Sequence, residues 1–165
     1  MIETDRTYLQ IICLIIITTM KLYLDVCCLN RPFDEQTQDR IYLESAAVIT
    51  ILRHVEAGEW EWINSSVVLY EVNRIPNLER RHRILKLCNH SSTTIKLNQD
   101  IYVLSESLTK LGFKSYDALH LACAKQAQVD VFLSTDDKLL KNANRQKNQF
   151  PLKIDNPLHW LQEIT

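Results

Sequence analysis

Residues 129–140 read Val129-Asp130-Val131-Phe132-Leu133-Ser134-Thr135-Asp136-Asp137-Lys138-Leu139-Leu140. A short apolar strand, a Ser-Thr-Asp turn and the opening of a helix follow one another directly. A continuous apolar run of this length is how a strand covered on both faces reads. Near the other end of the chain, Lys21-Leu22-Tyr23-Leu24-Asp25-Val26 repeats the idea, an apolar strand that runs into a carboxylate. Between the two, strand patterns alternate with longer helical ones. A helix is predicted over residues 36–57, with Ile41, Val48, Leu52 and Val55 on one face and Gly58 as its stop. A weak strand over 60–64 leads to a helix capped by Ser65 or Ser66, running to Ile75 and closed by Pro76. Asn77 caps a helix over 78–88, residues 93–97 form a strand, and a helix over 100–111 ends at Gly112. Ser115 caps a helix running to about 128, and a strand over 152–154 and a helix over 158–164 close the chain. Such alternation predicts a single α/β domain with a mainly parallel sheet.

Composition narrows the function classes. The chain has 165 residues, 46% hydrophobic and 24% charged, with 19 Lys and Arg against 20 Asp and Glu. Disordered and collagen-like chains are excluded, and so is a generally basic nucleic-acid coat. Any attraction for nucleic acid must come from a local patch. Two glycines in total, Gly58 and Gly112, cannot build a phosphate loop. Five cysteines (13, 27, 28, 88 and 123) form no C-x-x-C pair, which points to reduced thiols and a cytoplasmic protein. Residues 11–17 are almost wholly apolar but too few to span a bilayer, so no membrane association is expected. With an acidic leader and no small-residue cleavage site, residues 1–19 are expected to be an apolar extension or a mis-assigned start, and 20–165 the working domain. Without that extension, 18 acids balance 18 bases.

Acids in apolar company are the most informative residues. Asp25 ends an apolar strand, where open parallel sheets bind ligands, although a turn-forming Asp needs no ligand. Glu71 shares a helical stripe with Val68, Val72 and Ile75. A buried lone carboxylate costs several kcal/mol, so Glu71 is paired (Arg74 is a candidate), protonated or metal-bound. Asp117 lies in a helix's first turn, where the dipole alone favours an acid, yet the rest of that helix is small and apolar. His120, one turn on, reads as a structural or supporting residue. Capping accounts for one of Asp136 and Asp137, not for both.

Taken in order, Tyr23-Leu24-Asp25, Ser66 with Glu71, Asp117-Ala118-Leu119-His120-Leu121-Ala122 and Leu133-Ser134-Thr135-Asp136-Asp137 resemble the PIN domain family, and most of all its VapC-type toxin branch. The similarity spans about residues 20–155. It implies a three-layer α/β/α sandwich and a metal-dependent endoribonuclease, the toxin of a type II toxin–antitoxin pair. It also implies a metal site of Asp25, Glu71, Asp117 and Asp137, with Asp136 as the alternative and Thr135 and Ser66 in support. Mg²⁺ or Mn²⁺ is the implied ion, because hard cations take oxygen ligands and keep waters. An antitoxin partner, a homodimer, RNA as substrate, and products with 5′-phosphate and 3′-hydroxyl ends follow from the same resemblance. Val26 departs from the pattern, since a small polar residue commonly follows the first Asp. Asn30 and Arg31, just beyond the first strand, are the expected phosphate contacts, while the basic stretch 74–86 either draws substrate in or is an ordinary solvated helix face. Two other readings compete, a non-catalytic PIN-like RNA-binding module and a receiver-like signalling domain. The receiver lacks its acidic pair and central phosphoacceptor, and a haloacid-type phosphotransferase lacks the D-x-D that Asp25-Val26-Cys27 does not supply.

Overall fold

The computed structural model describes residues 19–165, so the extension expected over 1–19 falls outside it except for Thr19. The chain runs β1 (Met20–Leu24), α1 (Val26–Asn30), a 3-10 turn (Arg31–Phe33), α2 (Asp39–Glu56), β2 (Trp60–Ser65), α3 (Ser66–Asn73), α4 (Leu78–Cys88) and β3 (Thr93–Ile95). It continues through α5 (Gln99–Lys110), α6 (Ser115–Gln126), β4 (Val131–Leu133), α7 (Asp137–Gln146), β5 (Ile154–Asp155) and α8 (Pro157–Ile164). The five strands form one sheet in the order β3-β2-β1-β4-β5, and every pairing is parallel. Helices flank it in an α/β sandwich, as the alternating pattern predicts.

β1 lies at the centre, bonded to β2 on one side and β4 on the other. A strand so placed has no solvent face, which is why Leu22, Tyr23 and Leu24 are all fully buried in succession. Each such aliphatic or aromatic burial contributes about 1.5–3 kcal/mol. Phe132 of β4 stacks on Tyr23 at 5.2 Å between ring centres, and Trp62 of β2 is also fully buried. On the helical side, Ala118, Leu121, Ala122, Cys123 and Ala124 bury most of α6, whose small side chains permit close approach.

Strand order also locates the crevice. From β1 the chain steps outward through β2 to β3, then returns to the opposite flank of β1 for β4 and β5. The order reverses between β1 and β4, and ligands bind outside the carboxyl ends of strands at such a switch point.

Most of the local signals in the sequence appear in the structure. Ser65 caps α3 by accepting from Val68 N, and Asn77 caps α4 by accepting from Arg80 N. Gly58 (φ +74) and Gly112 (φ +88) adopt the left-handed backbone that ends α2 and α5. Several details differ: β3 ends at Ile95 rather than residue 97, and the last strand is Ile154–Asp155 rather than 152–154. β1 stops at Leu24 because the Asp25 carboxylate caps a short helix, α1, hidden in sequence by the break at Arg31-Pro32. α3 ends at Asn73, two residues early, because Arg74 N and Ile75 N turn back to Glu71 O and Val72 O. Ser115 is the first residue of α6 rather than its cap, a position held by extended Lys114.

Candidate metal centre at the carboxyl edge of the sheet

Asp25 stands where β1 gives way to α1, and every oxygen of its carboxylate is held. Oδ1 accepts from Val26 N at 2.7 Å, while Oδ2 accepts from Ser134 Oγ at 2.8 Å and from the Cys27 thiol at 3.1 Å. Its backbone N–H donates to Leu133 O at 3.0 Å, which ties the end of β1 to the end of β4. The hydrophobic Val26 therefore leaves no gap in the support of Asp25. Its backbone N–H, the Cys27 thiol and the Ser134 hydroxyl do the orienting.

Asp117, in the first turn of α6, shares this crevice. Burial, and next the negative charge of Asp25, raise its carboxyl to about 6, with Asp136 adding to the rise and Lys114 and His120 opposing it. A carboxyl whose folded value lies above the ordinary 3.8 holds its proton more tightly in the native state. Stability of the metal-free protein must then fall as pH rises from about 4 to 6, with the deficit complete above that window. Asp117→Asn is expected to raise the melting temperature of EDTA-treated protein at pH 7 and leave it unchanged at pH 3.5. A melting curve without that crossover would show that Asp117 is not strained by its neighbours.

Between the two acids of the late turn, the geometry separates roles. Asp136 caps α7, its Oδ1 accepting from Lys138 N (2.7 Å) and Leu139 N (3.2 Å), and its other oxygen is 3.5 Å from Lys114 Nζ. Burial acts to raise its pKa, but these bonds and Lys114 hold it below the ordinary range. Asp137 points elsewhere. Its side chain is 70% exposed and engaged by the Arg40 fork at 2.6 and 2.8 Å, which lowers its pKa. Of the two, it is Asp136 whose charge acts on the Asp117 carboxyl. Thr135 Oγ1 is buried there without a partner.

Glu71, on α3, meets His120 of α6. One oxygen lies 2.5 Å from His120 Nε2, and the side chain remains 30% exposed while that of His120 is 2% exposed. Arg74, the partner considered from the sequence, bonds instead to Tyr70 Oη at 3.0 Å. Ser65 takes the supporting place expected of Ser66, its Oγ lying 2.6 Å from Tyr23 Oη.

The expected phosphate contacts are largely committed within the fold. Asn30 Nδ2 donates to Val26 O at 3.0 Å. Arg31 pairs with Glu44 at 2.9 Å and Asp34 at 3.2 Å. In the basic stretch, Arg80 reaches Asp34 and Phe33 O, Arg81 reaches Asn73 O, and Arg83 pairs with Glu79. Lys114 lies 3.5 Å from Asp136, and its charge opposes the rise of the Asp117 carboxyl. Glu44 escaped the sequence reading altogether. Its side chain is 1% exposed; Oε1 accepts from Arg40 Nε (2.8 Å) and Asn156 Nδ2 (2.7 Å), while Oε2 lies 2.9 Å from Arg31 Nε as an ion pair without hydrogen-bond alignment. The i,i+4 spacing of Arg40 and Glu44 was its visible signal.

Among the described residues, the His, Cys, Asp and Glu ligand atoms that all lie within 4.8 Å of one another belong to Asp155, His159 and Glu163. These form a surface ladder, His159 lying 2.9 Å from Asp155 and Lys153 pairing with Glu163. The crevice acids are more widely spaced. No helix among the described residues is long and apolar enough to cross a membrane.

No protein-family model matches the sequence, and no curated protein matches it. Solved structures do match in shape. A chain of VapBC2 from Rickettsia felis, in a complex bound to a DNA fragment from their promoter, superposes with a TM-score of 0.52 at 15% identity, covering 83% of this chain and 98% of that one. A chain of VapBC-1 from nontypeable Haemophilus influenzae gives 0.53 at 15% identity, covering 84% and 98%. The all-parallel sheet with its β1/β4 switch point thus gives this chain the α/β sandwich of the VapBC structures, the PIN-domain fold that its motifs resemble.

Proposed function

We propose that this protein is a metal-dependent endoribonuclease acting as the toxin of a toxin–antitoxin pair. The observation that carries this reading is the meeting of Asp25, Asp117 and Asp136 in the switch-point crevice, where Asp117 is held near 6 by burial and by Asp25. Acids brought together at such a cost are stabilised by a cation. The donors are carboxylate oxygens, with Thr135 Oγ1 buried beside them and unpartnered, a set that fits a hard ion. Their wide spacing suits Mg²⁺ or Mn²⁺, which retain waters rather than enter a closed cage. Asp25, Asp117, Asp136 and Glu71 would hold the ion, with Asp137 kept by Arg40.

A bound Mg²⁺ or Mn²⁺ supplies Lewis-acid activation of water and offsets charge on the phosphodiester. The chain's own residues set the stage for it. Ser134, Cys27 and Val26 N fix the Asp25 carboxylate, and His120 fixes Glu71. Lys114 offers its charge to an incoming phosphate at the mouth of the crevice. Tyr70 and Tyr116, each next in sequence to a site acid, expose parallel rings 6.2 Å apart, a surface suited to unpaired bases.

An antitoxin partner is inferred from the VapBC complexes that share the fold. An apolar groove of about 340 Å³ beside α2, lined by Phe33, Ile49, Leu52 and Leu87, offers such a partner a surface. A homodimer belongs to the same proposal and is read by light scattering.

The test is cleavage of a single-stranded RNA. Activity is expected with Mg²⁺ or Mn²⁺, none in EDTA, and recovery on adding back either ion, with 5′-phosphate product ends. Cleavage undiminished by EDTA would overturn the metal reading. Intact RNA together with no calorimetric ion binding would favour the non-catalytic module.

A further inference from the structure

A polar chain runs through the apolar core of this domain. Val68 N–H donates to Ser65 Oγ at 3.2 Å, Ser65 Oγ lies 2.6 Å from Tyr23 Oη, Tyr23 Oη lies 2.7 Å from His120 Nδ1, and His120 Nε2 lies 2.5 Å from Glu71 Oε2. Ser65 and Tyr23 are fully buried and His120 nearly so. The rings are held in place, Tyr23 stacked on Phe132 and set edge-on to His120 at 5.8 Å and 67°. Only the last member, Glu71, touches solvent.

Donor and acceptor accounting gives the chain a direction. The Glu71 carboxylate can only accept, so Nε2 of His120 carries a hydrogen. In a neutral imidazole Nδ1 must then accept, and its partner is the Tyr23 O–H. The Tyr23 oxygen in turn accepts from Ser65 O–H, which leaves the Ser65 oxygen free to accept Val68 N–H. Every group is satisfied once and in the same sense, and bonds aligned in this way strengthen one another. Burial pushes the Tyr23 phenol well above its ordinary range, so it stays protonated and able to donate.

The geometry points to His120, locked as the Nε2–H tautomer by Tyr23 and Ser65, as the positioning residue that holds Glu71 with one carboxylate oxygen engaged and the other free for the ion. The inference rests on the proposal that Glu71 serves a metal. It explains why a histidine stands in the buried face of α6, where an aliphatic residue would pack without needing a partner. The carboxylate of a half-exposed Glu at the end of α3 otherwise has free rotation about its long side chain.

Two measurements on the full-length protein test it. The first needs neither metal nor RNA. In ¹⁵N-histidine-labelled, metal-free protein at pH 7.5, the His120 nitrogens are expected to report a protonated Nε2 and an unprotonated Nδ1. Tyr23→Phe should shift the Nδ1 resonance or mix the tautomers. An Nδ1–H tautomer or a doubly protonated ring would overturn the assignment. The second is Mn²⁺ binding by calorimetry on variants that keep the wild-type circular dichroism. His120→Leu is expected to weaken binding about 10- to 100-fold, the range for partners that orient a metal ligand. His120→Gln, whose amide can donate to Glu71 and accept from Tyr23, should recover affinity to within about threefold. If His120→Leu fails to fold, His120→Gln against Tyr23→Phe carries the comparison, the former near wild type and the latter weaker. Equal Mn²⁺ affinity in all folded variants would make the chain a purely structural core feature. No Mn²⁺ binding by the wild type would remove the metal reading of Glu71, and with it the positioning role, while the tautomer result still stands or falls alone.

Discussion

Asp25→Asn is expected to lower RNA cleavage by roughly 10³-fold or more, the equivalent of about 4 kcal/mol of lost transition-state stabilisation from a metal site. The fold should survive it. An Asn oxygen can still accept Val26 N–H, and its amide can donate to Ser134, whose hydroxyl rotates to accept. What disappears is the charge. The same substitution has a second effect that simple misfolding cannot imitate. Asp25 is, after burial, the main reason that Asp117 sits near 6, so its neutralisation should let the Asp117 carboxyl fall toward the ordinary carboxylate value. Carboxyl carbon shifts followed by NMR in the metal-free protein read that change directly. Cleavage within tenfold of wild type, with Asp117 titrating unchanged, would remove Asp25 from the site.

Glu44→Ala is the substitution with the largest expected cost to stability, about 3–5 kcal/mol, because it leaves Arg31 beside an empty buried position and frees Arg40. For a domain of this size the melting temperature should drop on the order of 10 °C. The loss reaches several elements at once. Glu44 lies on α2, Arg31 in the turn after α1, and Asn156 caps α8. Arg40 carries the network on to Asp137. Arg40→Ala is therefore expected to cost less, since its own side chain is half-exposed and Glu44 retains Arg31. A melting temperature for Glu44→Ala within 2 °C of wild type would show that these pairs only break even against solvation.

Much of the candidate site is legible because three of its acids stand in the wrong company. Asp25, Glu71 and Asp117 each interrupt an apolar pattern, and burial physics alone makes such residues conspicuous. Asp136 and Asp137 were not separable that way. Both follow β4 and both open α7, and what divides them is helical phase. The cap residue turns its carboxylate back over the crevice, while the next one faces Arg40, 97 residues earlier in the chain. The basic stretch 74–86 shows the same limit of local reading. Its local density of charge is real, but Arg80 and Arg81 are satisfied by backbone and carboxylate partners that only the packing of α4 reveals. The i,i+4 pairing of Glu44 with Arg40 is visible in the sequence but does not mark a buried residue, because the same spacing is the ordinary signature of a solvated helix face. The second partner, Arg31, lies on a neighbouring element.

By itself, the sequence determined the order of the strands and of the helices other than α1, the caps at Ser65 and Asn77, the stops at Gly58 and Gly112, and the carboxylates at strand ends. All of these rest on interactions between residues a few positions apart. Tertiary structure decided which of those carboxylates meet. Asp25 comes to Ser134 across 109 residues, and Glu71 to His120 across 49. No local preference encodes those distances. They follow from the return of the chain to the far side of β1, which sets β4 beside it and gathers at one edge the acids that the sequence had scattered.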